Sequence, residues 1–111
     1  MQLTYAIKFV ADMDRAIAFH RDVLGLPLKF QSPEWSEFAT GGTTLALHSA
    51  SQDNPAGTVQ LGFASEDLAA FYARREELGV EFTQPPTPMH GVHIARFRDP
   101  EGAETSVSGP A

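Results

Sequence analysis

Two stretches of this chain carry the same punctuation. In ADMDRAIAFHRDVLG (11–25) the helix signals open at Asp12-Met13 and close at Leu24-Gly25; in SEDLAAFYARREELG (65–79) they are Asp67-Leu68 and Leu78-Gly79. The openings are offset by 55 residues (12 to 67) and the closings by 54 (25 to 79), and Thr4 and Thr58 open the strand before each helix. A repeat of this period implies two similar units that close around a shared cavity or interface. No other feature narrows the possible folds as much.

The remaining pattern supplies the elements of each unit. Residues 3–10, LTYAIKFV, read as a strand rich in β-formers. Asp12 is the expected N-cap and Gly25 the left-handed residue that ends the helix. Met13, Ala16, Ile17, His20 and Leu24 share one helical face, which Phe19 and Val23 widen. Short strands follow at 27–31, 35–40 and 43–48, then the loop SASQDNPAG. The order restarts with a strand TVQLGFA and a helix capped by Ser65 and closed by Gly79. After it come a strand VEFTQ, a stiff loop PPTPMHG and a strand VHIARFR. Asp99-Pro100-Glu101-Gly102 forms a tight turn, and Ala103 to Ser108 is the last strand. The expected class is α+β, with two tandem βαβββ modules that close around a shared cavity or interface. Module one covers about 1–50 and module two about 57–109 of a single domain, 1–111.

Composition removes several functions. The chain has 111 residues, 42% of them hydrophobic, enough for one packed domain. With no cysteine, disulfides and thiolate metal sites are excluded, and cytoplasmic residence is the default. A net charge of −6 with scattered Lys and Arg argues against a nucleic-acid partner. No apolar run approaches the ~20 residues of a membrane span, and MQLTYAIKFV reads as a strand rather than a signal peptide. The expected partner is a small molecule or another protein.

The run DMDRAIAFHRDVLGLPL resembles the first-helix signature of the vicinal oxygen chelate superfamily, which includes glyoxalase I, bleomycin-resistance proteins and extradiol dioxygenases. FRDPEGAE is similar to that superfamily's last hairpin, and QLGFASEDLAAFYARREELG to the strand and helix of its second unit. The resemblance implies two βαβββ modules, each a curled mixed sheet, around an open cavity that takes a small organic ligand; small members are commonly homodimers, and metal-using members bind a divalent ion by one residue from each of four strands. Carried over by position, those places hold Tyr5, Ala46, Gln60 and Ser106. A phenol, a methyl, an amide and a hydroxyl lack the imidazoles and carboxylates that such ions require. The expectation is therefore no metal and no cofactor. A displaced site around His48, Gln60 and Glu37 is the alternative, serving a divergent metal-dependent lyase, isomerase or dioxygenase.

Period two places Tyr5, Ile7 and Phe9 on one face of the first strand; Ala46 and His48 share a face, as do Gln60 and Gly62. Trp35 and Glu37 share a face of the third strand. With Ser106, these ten residues are the candidate ligand-binding set. They are aromatic and apolar with a few polar tips, which suits an organic ligand. Tyr5 equally fits a core aromatic with its hydroxyl at the rim, and Trp35 a dimer interface. Gln60 is the more telling residue, because an amide buried without partners is costly. His20 reads as a packing residue, His90 and His93 as solvated, and Arg96 and Arg98 as paired with surface Glu. Glu104 reads as a rim residue. No catalytic residue is assigned; His48 with Glu37 is the only conceivable acid–base pair.

Overall fold

The computed structural model describes residues 1–110. By packing, the chain divides into two compact units: Thr4–Val59, called module one here, and Gln60 onward with Met1–Leu3, called module two. Each unit is a four-stranded mixed sheet with helical segments on one face.

In module one the order along the chain is β1 (Gln2–Val10), α1 (Met13–Ala18), a π-helical turn (Phe19–Val23), β2 (Leu28–Phe30), β3 (Trp35–Phe38) and β4 (Thr44–Ser49). The strands lie in the order β2-β3-β4-β1, with β1 parallel to β4 and the other pairs antiparallel. Asp12 caps α1 as expected, its Oδ1 accepting the Arg15 backbone N–H at 3.1 Å. Gly25 turns left-handed at φ 71°. Between them the helix widens: the Leu24 amide bonds to the Phe19 carbonyl, five residues back. His20 sits in this turn, buried, its Nδ1–H donating to the Ala16 carbonyl at 2.7 Å and its ring packed beside Phe19 and Phe38. On the helix side of the sheet, Ile17, Phe38 and Leu47 form the core. Burial of each such side chain contributes about 1.5–3 kcal/mol.

Module two repeats this plan with β5 (Val59–Ala64), α2 (Leu68–Ala73), α3 (Arg75–Leu78), β6 (Glu81–Met89), β7 (Val92–Arg98) and β8 (Glu104–Gly109). The strands lie as β5-β8-β7-β6, β5 parallel to β8 and the rest antiparallel. Leu68, Ala95 and Val107 make the core on the helix side, with Phe63, Phe71, Phe82 and Phe97 packed against them.

Two local expectations are corrected. The N-cap of α2 is Asp67, whose Oδ1 accepts the Ala70 N–H at 3.0 Å; Ser65 instead accepts the Asp67 N–H. Asp67 thus matches Asp12, the other cap. The segment PPTPMHG is not a loop either, since β6 continues through Pro85, Pro86 and Pro88 to Met89. Among the described residues it pairs only with β7, and an edge strand tolerates the lost N–H groups of proline; the register slips between Gln84 and Thr87. His90 and Gly91, at φ 51° and 84°, then make a two-residue hairpin turn, the conformation that a β-hairpin's twist favours. The expected 99–102 turn forms, and Asp99 secures it by accepting the Glu101 and Ala103 N–H groups, both at 2.9 Å.

Candidate functional site

The sheet of module one has a second face, opposite the helix, and the strand periodicity decides what it shows. The register sets Ile7 beside Ala46, Phe9 beside His48, Trp35 beside His48 and Glu37 beside Ala46. All seven candidate residues of this module therefore share one face. Ile7, Phe9 and Ala46 are its buried floor, and Tyr5, Trp35 and Ala50 pack against them. Above the floor runs a row of rings. Tyr5 meets Trp35 edge-on at 5.8 Å, Trp35 meets His48 edge-on at 5.9 Å, and His48 tilts over Phe9 at 5.2 Å. Ring pairs at these separations and angles are the favoured ones.

The polar atoms of the row are held by local bonds. Ser32 pins the start of β3, its Oγ accepting the Trp35 N–H at 3.0 Å and donating to the Trp35 carbonyl. The Trp35 indole N–H donates to Glu37 Oε2 at 2.8 Å. Glu37 Oε1 lies 3.7 Å from Lys29 Nζ, which also donates to Thr44 Oγ1 at 3.3 Å. Lys29 is a site residue that periodicity does not reveal, because β2 has only three residues. His48 Nδ1–H donates to the Ser49 carbonyl at 2.8 Å, which leaves Nε2 as the ring's acceptor. Among the described residues no hydrogen bond joins His48 to Glu37, so the two do not form an acid–base couple in this arrangement. Burial, and then the Glu37 carboxylate, push the Tyr5 phenol above its ordinary value.

The corresponding face of module two is polar. Gln60 is 8% exposed, and its Nε2 is buried without a hydrogen-bond partner. Two residues on, Gly62 pairs with Ser106 across β5 and β8, and Ser106 pairs with Arg96 across β8 and β7. Glu104, on the same face, accepts the Thr83 hydroxyl at 2.7 Å and lies 4.0 Å from Arg96 Nη1. Arg98 sits 3.7 Å from Glu81 and donates to the Gly102 carbonyl. His93 lies on the opposite, helix side, where with Tyr72, Pro85 and Pro86 it lines an open cleft of about 540 Å³.

The four positions that the resemblance assigns to a metal do not fit one here. Ala46 has no donor atom, and the Tyr5 phenol is shifted away from the phenolate a cation would need. Gln60 and Ser106 are neutral. Among the described residues no group of three or more His, Cys, Asp or Glu side chains is placed to hold a metal ion.

The profile of the Glyoxalase/Bleomycin resistance protein/Dioxygenase superfamily matches residues 2–107. The chain belongs to this superfamily. Among solved structures it is similar to methylmalonyl-CoA epimerase from Mycobacterium tuberculosis, at 20% identity and a TM-score of 0.80, over 99% of this chain and 88% of that one. A variant of the Streptomyces coelicolor methylmalonyl-CoA epimerase, in complex with 2-nitronate-propionyl-CoA, matches at 16% identity and 0.75, over 100% and 98%. A glyoxalase/bleomycin resistance protein/dioxygenase superfamily member from Vibrio splendidus matches at 17% and 0.74, over 95% and 96%. At these identities the likeness is one of fold. No curated protein matches the chain. No helix among the described residues is long and apolar enough to cross a membrane.

Proposed function

We propose that this superfamily member binds a planar aromatic or apolar organic molecule without a metal, acting as a cytoplasmic homodimer. The row Tyr5–Trp35–His48–Phe9 carries the reading. It offers ring edges and faces over an apolar floor, with the Tyr5 hydroxyl and His48 Nε2 as orienting polar tips. On the face of module two, Gln60, Gly62 and Ser106 are the remaining candidate ligand-binding residues. The Glu37–Lys29 pair neutralises the only carboxylate in the row, which favours stacking and burial over charge recognition. That the fold can hold an organic ligand is supported by the Streptomyces coelicolor epimerase variant, which is in complex with 2-nitronate-propionyl-CoA.

Trp35 is the only tryptophan, so its fluorescence reports on the site directly. The test is a panel of planar aromatic compounds added to the full chain in excess chelator. Expected are quenched Trp35 emission and a raised melting temperature, as for any ligand selective for the native state. Trp35→Ala should weaken that thermal response about tenfold or more, in line with loss of an aromatic anchor. Stoichiometric Zn, Ni or Fe by elemental analysis, with His48→Ala abolishing metal uptake and turnover together, would establish the metal-dependent alternative instead.

A further inference from the structure

We propose that the module-two face around Gln60 and Ser106 takes a carboxylate group, so that a ligand held there is an organic acid; the inference rests on the binding function proposed above. Its starting point is the Gln60 amide. More than nine-tenths of the residue is buried, and its Nε2 finds no partner. A buried donor left unmade costs more than an average hydrogen bond contributes, so native chains retain very few. Gln60 projects from β5 on the face that carries Gly62, Ser106 and Arg96, opposite the Phe63 side that packs on the helix.

The neighbours of that amide are donors as well. Among the described residues the Ser106 hydroxyl makes no side-chain hydrogen bond, and Ser106 pairs with Gly62 across β5 and β8. Arg96 follows on the next strand, held only loosely at 4.0 Å by Glu104, whose other oxygen is bonded to Thr83. An amide N–H, a hydroxyl and a guanidinium thus share one face of β5, β8 and β7, and Glu104, the carboxylate beside Arg96, gives its other oxygen to Thr83. A carboxylate offers two oxygens and about four acceptor sites, the match for such a set. A phosphate dianion fits less well, because Glu104 and Glu81 flank the two arginines of this face.

The experiment uses the full chain with benzoate, benzyl alcohol and benzylammonium as matched probes, read by thermal melts and by the Gln60 side-chain amide signals in NMR. Benzoate should raise the melting temperature and shift the Gln60 amide; benzyl alcohol should do less, and benzylammonium nothing. Gln60→Met should melt roughly 2–6 °C higher without ligand, since the orphan donor is gone. It should also bind benzoate at least tenfold more weakly while keeping its response to benzyl alcohol. Should Gln60→Met fail to fold, Arg96→Gln makes the same comparison, with an expected loss of about fivefold for benzoate. Equal responses to benzoate and benzylammonium, or benzoate binding unchanged in both variants, overturn the inference and leave the neutral-ligand reading standing. A flat response to all three probes also overturns it, and the panel read through Trp35 then decides the wider reading.

Discussion

Burial and the Glu37 carboxylate both disfavour ionisation of Tyr5, and the consequence reaches from chemistry to stability. The phenol remains a neutral donor and acceptor through the physiological range, able to orient a ligand. In the unfolded chain the same phenol ionises near its ordinary value of about 10. Below that pH the proton is bound in both states and Tyr5 adds no pH dependence. As pH rises through that value toward the higher folded one, only the unfolded chain loses its proton, so stability falls. Urea titrations between pH 8 and 11 should therefore show a smaller alkaline loss for Tyr5→Phe than for the wild type. Equal slopes would mean that the fold does not shift this group. At this scale the sequence was readable wherever a strand is long enough to show parity. Tyr5, Ile7 and Phe9 lie on the expected face because nine residues of β1 alternate. Lys29 escaped because three residues of β2 show no alternation, and its partners Glu37 and Thr44 are distant in the chain. Asp67 was displaced by Ser65 as the expected cap because both are good capping residues and only the position of the first helical turn separates them.

The two helices differ in one respect that the repeat already encodes. From Asp12 to Gly25 the chain is one residue longer than from Asp67 to Gly79, and the longer copy is the one that contains the π-helical turn. A π turn absorbs one extra residue while keeping both ends of the helix in place. The one-residue slip in the sequence repeat is thus that turn, with the buried His20 inside it. Helix signals were legible because caps and glycines are local; the course of β6 was not, since three prolines read as a loop unless the strand is known to be an edge. The contact between α2 and β8 is another non-local feature. A Cβ placed on Gly109 would lie 2.6 Å from Leu68 Cβ and 3.1 Å from the Ser65 carbonyl oxygen. Neither atom is the far end of a flexible chain, so the start of α2 would have to move away from the sheet. Leu68 is part of the module-two core, and the displacement would loosen it. Gly109→Ala should destabilise the protein by about 1–3 kcal/mol, the usual cost of overpacking. A lower denaturant midpoint with an unchanged slope would bear this out, whereas an unchanged midpoint would show that α2 shifts freely.

Across the whole chain the duplication preserves architecture and lets chemistry diverge. Both modules have the same strand order and keep their helices on one face, yet the opposite face is aromatic in module one and rich in hydrogen-bond donors in module two. The shared plan was legible because caps, closing glycines and strand openings recur at a fixed offset. The difference in faces was legible only in part, since pairing across strands decides which of several polar residues become neighbours. Duplication also bears on folding. Each module closes its helix-side core on three fully buried side chains, Ile17, Phe38 and Leu47 in one and Leu68, Ala95 and Val107 in the other. Chains of this half-length bury only about 60% of the surface they expose when unfolded, and without disulfides or metals they are marginal. Module one would keep its aromatic row and module two its unpartnered Gln60 amide, neither of which compensates for so small a core. A fragment of residues 4–59, expressed alone, should therefore show poor amide dispersion in NMR and no cooperative thermal transition, while the full chain melts in one step. A fragment that melts cooperatively would mean that each module is a domain in its own right, and the chain would then be two domains rather than one.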